Sequence, residues 1–273
     1  EKTAYNALKI ADYFGIDVPV GKGAYPILKE FEPLDVSICG VSGLGDAVLP
    51  EPKRKLDERP SVKILCQEAV KAQGELQILA TGPLTNVALL IREYPEVKGL
   101  IKRIVLMGGA VYGGNTTPKA EFNIYTDAEA AKIVFQSGIP LTMIGLEVCY
   151  DTPIYKEELG KLLEKGGKTA DFIAGIMYYP GNESRPFPEE GVFVYDALAA
   201  AAIIDPEALK FKPYYVDVET KGEITYGQTV VDTCNYLKKE PNTLVACECN
   251  KEKYLDMVRK TILYFDNKER PVQ

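Results

Sequence analysis

Asn115, Glu121 and Asn123 stand close together in the segment Gly114-Asn115-Thr116-Thr117-Pro118-Lys119-Ala120-Glu121-Phe122-Asn123. The apolar run Ile104-Val105-Leu106-Met107-Gly108-Gly109-Ala110 comes shortly before it. Two carboxamides and a carboxylate supply donors and acceptors together, which is the set needed to hold the hydroxyls of a sugar. Pro118 fixes one backbone angle of the loop and lowers the entropy cost of keeping those groups in place. Gly108 and Gly109 end the run and let the backbone approach a ligand closely. An ordinary polar loop after a strand is the competing reading of the same residues.

The sequence contains no histidine and no tryptophan. Ser-His-Asp and Cys-His catalysis, His-ligated metals and imidazole acid-base chemistry are therefore excluded. Carboxylates, amides, phenols, thiols and an oxygen-ligated metal remain. The six cysteines, at 39, 66, 149, 234, 247 and 249, show neither zinc spacing nor a compact disulfide framework. Cys247 and Cys249 lie two apart in a strand-like stretch and share a face. They read as core or inert thiols, and a reduced, cytoplasmic setting is expected.

Elements that alternate strand, loop and helix must position the polar loop. Residues 3–14 read as an amphipathic helix ending near Gly15, and Asp35-Val36-Ser37-Ile38 as a short strand. Leu49 to Pro60 is a loop rich in proline and charge. Ser61 is expected to cap a helix running to about Gln73, with Gly74 as its stop. Leu76 to Ala80 reads as a strand that Thr81-Gly82-Pro83 turns into a helix from Leu84 to Glu93. Strand 103–107 leads to the polar loop. Asp127 is expected to cap a helix that Gly138 ends, followed by a strand over 141–148, and the chain becomes more β-like at 211–232. This rhythm predicts an α/β fold with an open, mostly parallel, doubly wound sheet. In such sheets ligands bind beyond the carboxyl ends of the strands, where Thr81, Met107 to Asn123 and the Glu147 region all fall.

The 273 residues, 46% hydrophobic, suffice for a substantial core, and no linker divides them, so residues 1–273 are expected to form one domain. A net charge of −7 without a basic block argues against nucleic acid and anionic membrane surfaces as partners. No apolar run reaches the length of a membrane span, and Glu1-Lys2-Thr3-Ala4-Tyr5 does not read as a signal peptide.

The order of short motifs resembles the inosine-uridine-preferring nucleoside hydrolases along nearly the whole chain. Thr3 to Leu8 resembles that family's "T..NAL" helix, and Val18-Pro19-Val20 with Gly23-Ala24 its "PV..GA" strand and turn. Gly43-Leu44-Gly45-Asp46 is similar to the end of "HGxDGLGD", and Ala80 to Asn86 to its "TGPLTN" turn. Met107 to Ala110, the loop 114–123, Asp127 to Ala130 and Tyr226 to Asp232 follow in family order. The resemblance implies hydrolysis of the N-glycosidic bond of a ribonucleoside to ribose and free base, with a calcium ion at the ribose. It implies Asp196 and the Thr81 backbone carbonyl as calcium ligands. Asn115, Glu121 and Asn123 are implied as ribose binders, with Met107 beneath the sugar. A small-molecule nucleoside is the implied partner, and the implied assembly is a homodimer or homotetramer. Tyr178, Tyr179 and Tyr226 are candidate neighbours of the base.

Three departures accompany the resemblance. No segment matches the family's N-terminal "DxDxGxDD", which supplies the water-activating Asp and further calcium ligands. The family's His-Asp pair appears as Tyr195-Asp196, so Tyr195 stands where the leaving-group acid would be. Cys39-Gly40 replaces "HG", and Glu147-Val148-Cys149-Tyr150 replaces "DVT". A binding protein for nucleoside or ribose, and an altered-site hydrolase that uses Tyr195, are the alternatives to the enzyme. Only Asp196 and the Thr81 carbonyl match family ligands, so calcium binding by this sequence is expected to be weak or absent. The absent "DxDxGxDD" strand is central in the resembled sheet. Its slot is expected to be filled by residues upstream of Glu1, by a partner chain or by a rearranged segment, because an empty slot leaves backbone groups unpaired.

Overall fold

The computed structural model describes residues 2–25, 39–164, 166–179 and 191–268. Seven strands are present among them: β1 (Leu76–Ala80), β2 (Ile101–Met107), β3 (Leu141–Ile144), β4 (Leu209–Tyr214), β5 (Val216–Val218), β6 (Thr229–Val231) and β7 (Thr243–Cys249). Five of them make one sheet in the order β1-β2-β3-β7-β4, and β5 pairs with β6 in a separate two-stranded ribbon. The pairs β1–β2, β2–β3 and β3–β7 are parallel, while β4 runs antiparallel to β7 at one edge.

Both faces of this sheet are covered, as near-continuous apolar strands require. On one face Ile104 and Leu106 of β2 and Met143 of β3 pack with α2 (Ser61–Ala72), α3 (Thr85–Glu93) and, after α4 (Phe122–Thr126), α5 (Ala128–Phe135). On the other face Val105, Met107 and Ile144 meet α6 (Leu146–Tyr150), α7 (Lys156–Leu163), α9 (Tyr195–Ile204) and α10 (Lys251–Lys268). The remaining helices are α1 (Lys2–Tyr13) and α8 (Lys168–Met177). The middle of α9 is alanine-rich, and Ala199, Ala201 and Ala202 have no exposed surface. Small side chains let this helix approach β2 closely, which brings its first turn to the carboxyl ends of the strands.

Most expected elements are found within a residue or two. Gly15 ends α1 with φ +62°, and Gln73 and Gly74 after α2 have φ +50° and +95°. Asp127 caps α5, its Oδ1 accepting from the Ala130 N–H at 3.0 Å, while Oδ2 accepts from the buried Thr85 hydroxyl at 2.6 Å. One carboxylate thus closes the start of α5 and ties it to the start of α3. A cap of this kind contributes about 1 kcal/mol.

Two local expectations are corrected. Ser61 is the first residue of α2 and not its cap, since Pro60 precedes the helix and the Ser61 hydroxyl donates to Asn86 Oδ1 at 3.0 Å. Asn86 also accepts from the Ala24 N–H at 2.8 Å, so the turn after β1 holds the Gly23-Ala24 turn in place. The strand expected over 141–148 stops at Ile144, and residues 146–150 form α6 instead. An unbroken apolar run does not distinguish a strand from a buried helix. Here the Leu146 N–H bonds the Gly109 carbonyl at 3.0 Å and turns the chain out of the sheet. The strand expected at 35–38 lies outside the described residues. Among the described residues, no helix is long and apolar enough to cross a membrane.

Candidate active site

The carboxyl ends of β1, β2 and β3 converge. Ala80 pairs with Leu106 and Met107 with Ile144, so Thr81, Met107 and Gly145 leave the sheet side by side. The polar loop returns to this edge and enters α4 through Glu121.

Glu121 is the hub, and it is 2% exposed. Its Oε2 accepts from the Gly109 N–H at 2.9 Å and the Ile124 N–H at 3.2 Å, and its Oε1 from the Asn123 N–H at 2.9 Å. The residue therefore caps α4 and fastens it to the glycine turn after β2. Burial raises its carboxyl above the usual range despite the three amides, and the nearby charge of Asp196 adds to the rise. Asn123 donates through Nδ2 to the Met107 carbonyl at 3.0 Å and lies 3.5 Å from its sulfur. Asn115 is exposed, and its Oδ1 accepts from the Phe122 N–H at 3.0 Å. Met107, Asn115, Glu121 and Asn123 thus belong to one hydrogen-bonded unit.

Asp196 comes from the first turn of α9, where the helix dipole favours a carboxylate. It is open to solvent yet closely surrounded by protein, and desolvation pushes its carboxyl up to about 6. No described residue donates to it. Thr81 is exposed at the end of β1, and among the described residues no hydrogen bond joins it to the others.

Tyr195 precedes Asp196 and packs with two other rings. Its centroid is 6.3 Å from that of Tyr150 and 6.0 Å from that of Phe193, which are 5.1 Å from each other. Burial, with Tyr150 and Cys149 beside it, pushes the Tyr195 phenol well above its usual range. It remains a neutral O–H donor at any working pH and is poorly matched to general acid catalysis. Cys149 is buried and its thiol is pushed up to about 12, first by burial and then by Asp196, Glu121 and Glu147, which leaves it inert as a nucleophile. All six cysteines are free thiols.

Glu147, at the start of the segment that replaces "DVT", accepts through Oε1 from the Val111 and Tyr112 N–H groups at 2.8 and 2.9 Å. Phe193, Tyr150 and Thr229 were not singled out as site residues. The signals were the place of Phe193 two residues before Tyr195, of Tyr150 in the segment that replaces "DVT", and of Thr229 in the motif 226–232. Tyr226 is engaged elsewhere, its ring edge-on to Tyr125 and its hydroxyl bonded to Glu129. Tyr179 packs by Gly40 and Gly45, at the far end of α8.

Comparison with known proteins agrees with this geometry. The profile of the inosine-uridine preferring nucleoside hydrolases matches residues 1–256. A pyrimidine-specific ribonucleoside hydrolase, RihA, of Salmonella paratyphi C is 35% identical over 269 residues, covering 97% of this chain and 86% of that protein. RihA of Photobacterium profundum is 37% identical over 268 residues, covering 96% and 86%. The solved structure of a purine-preferring ribonucleoside hydrolase from Gardnerella vaginalis superimposes with a TM-score of 0.89 at 31% identity, covering 98% of this chain and 87% of that one. The fold is that of enzymes that split the bond between a sugar and a base. The chain belongs to the inosine-uridine preferring nucleoside hydrolase family, and its reaction is hydrolysis of the N-glycosidic bond of ribonucleosides.

Proposed function

We propose that the unit formed by Met107, Asn115, Glu121 and Asn123 holds the ribose of a ribonucleoside, with Asp196 facing the same sugar. The observation that carries this is the hub geometry of Glu121, a buried carboxylate fixed by three backbone amides and near enough to Asp196 to feel its charge. Asn115 and Asn123 add amide donors and acceptors for hydroxyls, and Met107 gives an apolar surface under the ring.

In this reading the C1′–N bond breaks, a water oxygen bonds to C1′, and the base leaves with a proton. Positive charge develops on the ribosyl ring as the bond breaks. Asp196, a carboxylate with no donor of its own among the described residues, is the group left to meet that charge. Tyr195 donates a hydrogen bond toward the departing base from a phenol that stays protonated. The exposed Tyr150 edge and Phe193 give the base aromatic neighbours. The described residues are read as one domain, since both apolar layers share one sheet.

Calcium needs six to eight oxygen ligands. Among the described residues, no group of three or more His, Cys, Asp or Glu is arranged to hold a metal. The resemblance implies two ligands here, Asp196 and the Thr81 carbonyl, against the six to eight oxygens the ion takes. These residues alone do not fit the ion. Calorimetry of this chain with calcium and ribose is expected to show weak binding or none. A dissociation constant of about a micromolar, within the range of well-built calcium sites, would show that further oxygens complete a site.

The function is tested by release of free base from uridine, cytidine and inosine, followed by chromatography. Ribose and base in equal amounts are the expected products. Tight nucleoside binding without product would favour the binding-protein reading.

A further inference from the structure

We infer that Thr229 and Glu147 are positioning residues, which hold the turn Gly108–Tyr112 so that its Gly109 N–H stays on Glu121. This rests on the reading that Glu121 binds the sugar.

The argument is an accounting of the turn's backbone groups. The Gly108 N–H bonds the Ile144 carbonyl at 3.1 Å, and the Gly109 carbonyl accepts from the Leu146 N–H at 3.0 Å. The Gly109 N–H goes to Glu121 at 2.9 Å. The next residue is held by one hydroxyl acting twice, because Thr229 Oγ1 accepts from the Ala110 N–H at 2.9 Å and donates to the Ala110 carbonyl at 2.6 Å. Glu147 then takes the Val111 and Tyr112 N–H groups. Five consecutive N–H groups are therefore assigned, three of them to side chains remote in sequence from the sugar loop.

Gly109 adopts φ +76°, and a Cβ there would lie 2.8 Å from the Thr229 methyl. The turn and Thr229 are in contact as well as hydrogen-bonded. Thr229 is 3% exposed and stands on β6, part of a two-stranded ribbon that would be marginal alone. The ribbon is anchored on α5: Val216 and Val218 of β5 are buried in the α5 layer, and Asp217 pairs with Lys132 at 2.8 Å. It therefore bridges the α4–α5 unit, which carries Glu121 and Asn123, to the turn that faces them. Freeing the turn lets the Gly109 amide leave Glu121. Misplacement of a binding group by about 1 Å can cost about 100-fold in rate.

The test compares T229V, which keeps the shape but removes the hydroxyl, with T229S, which keeps the hydroxyl, and adds E147A and E147Q. Amide exchange across residues 108–112 is measured by NMR without substrate, and kcat/KM is measured with a ribonucleoside at a temperature where every variant is folded. T229V is expected to speed exchange at Gly109 and Ala110 by about tenfold or more. It is also expected to lower kcat/KM by about 10–100-fold. T229S is expected to restore both, and E147Q to restore what E147A loses. Gly109 as protected in T229V as in the wild type, with kcat/KM unchanged, overturns the inference. If T229V does not fold, E147A decides by the same two readouts, since Glu147 is only half-buried. A wild-type chain that releases no base defeats the function reading alone, because the exchange at Gly109 still reports on the clamp.

Discussion

Glu121→Ala is expected to lower stability by about 3–5 kcal/mol and kcat/KM by about 1,000-fold or more. The stability loss follows from what the carboxylate holds. Removing it leaves the N–H groups of Gly109, Asn123 and Ile124 without their acceptor in a region where Glu121 itself is 2% exposed. Each unsatisfied buried donor costs about 1–3 kcal/mol, and water entering the space offsets part of the sum. Against a total of about 5–15 kcal/mol this is a large fraction. The activity loss follows from the same geometry, because α4 and the glycine turn lose the group that ties them together. Glu121→Gln keeps one acceptor oxygen but turns an NH₂ toward an N–H, and an intermediate loss is expected. Denaturant unfolding and base release measure the two effects. A Glu121→Ala variant within about 1 kcal/mol of the wild type would show that water satisfies the amides equally well.

Asp196→Asn is expected to act in opposite directions on stability and activity. The Asp196 carboxyl is pushed up to about 6 by desolvation, from an ordinary value of 3.8. A carboxyl that binds its proton more tightly in the folded state supports folding most at low pH. That contribution is full below about pH 4 and falls as pH rises to about 6, after which it stays lost. Asparagine removes the fall. In chelator, the variant is expected to melt at or above the wild-type temperature at pH 7 and to show a flatter profile between pH 4 and 6. Because Asp196 is open to solvent, the gain is small. Its kcat/KM is expected to drop by about 1,000-fold, the scale of removing a charge aimed at the transition state. A variant that keeps full activity would remove Asp196 from the site. One that melts lower in chelator would show that the carboxylate has a favourable partner.

The features legible in the sequence share one property, a short range of action. Asp127 caps α5 because an Asp three residues ahead of an amide bonds it wherever that helix forms. Gly15, Gly74 and Gly138 end or follow their helices with positive φ, a conformation available to glycine at little cost. The apolar runs at 76–80 and 103–107 form strands: Ile104 to Met107 are buried on both faces of the sheet, while in β1 Ile78 and Ala80 are buried and Leu79 is exposed. The loop 114–123 carries its own polar groups, and their proximity in sequence ensures their proximity in space. The same locality failed at 141–148, where an apolar run is as good a buried helix as a strand.

By itself, then, the sequence determined the parallel α/β rhythm and the polar loop, because each is written in neighbouring residues. Only the tertiary structure decided what those groups touch. Ala110 and Thr229 are 119 residues apart, and no periodicity relates them. Glu147 is tied to the turn after β2 because that turn presents two N–H groups to it. The Tyr195 phenol is pushed further above its ordinary range by burial and by the Tyr150 and Cys149 neighbours it meets. A buried polar group takes the partners the fold brings within about 3 Å, and that choice is made by packing across the sheet rather than by the order of residues along the chain.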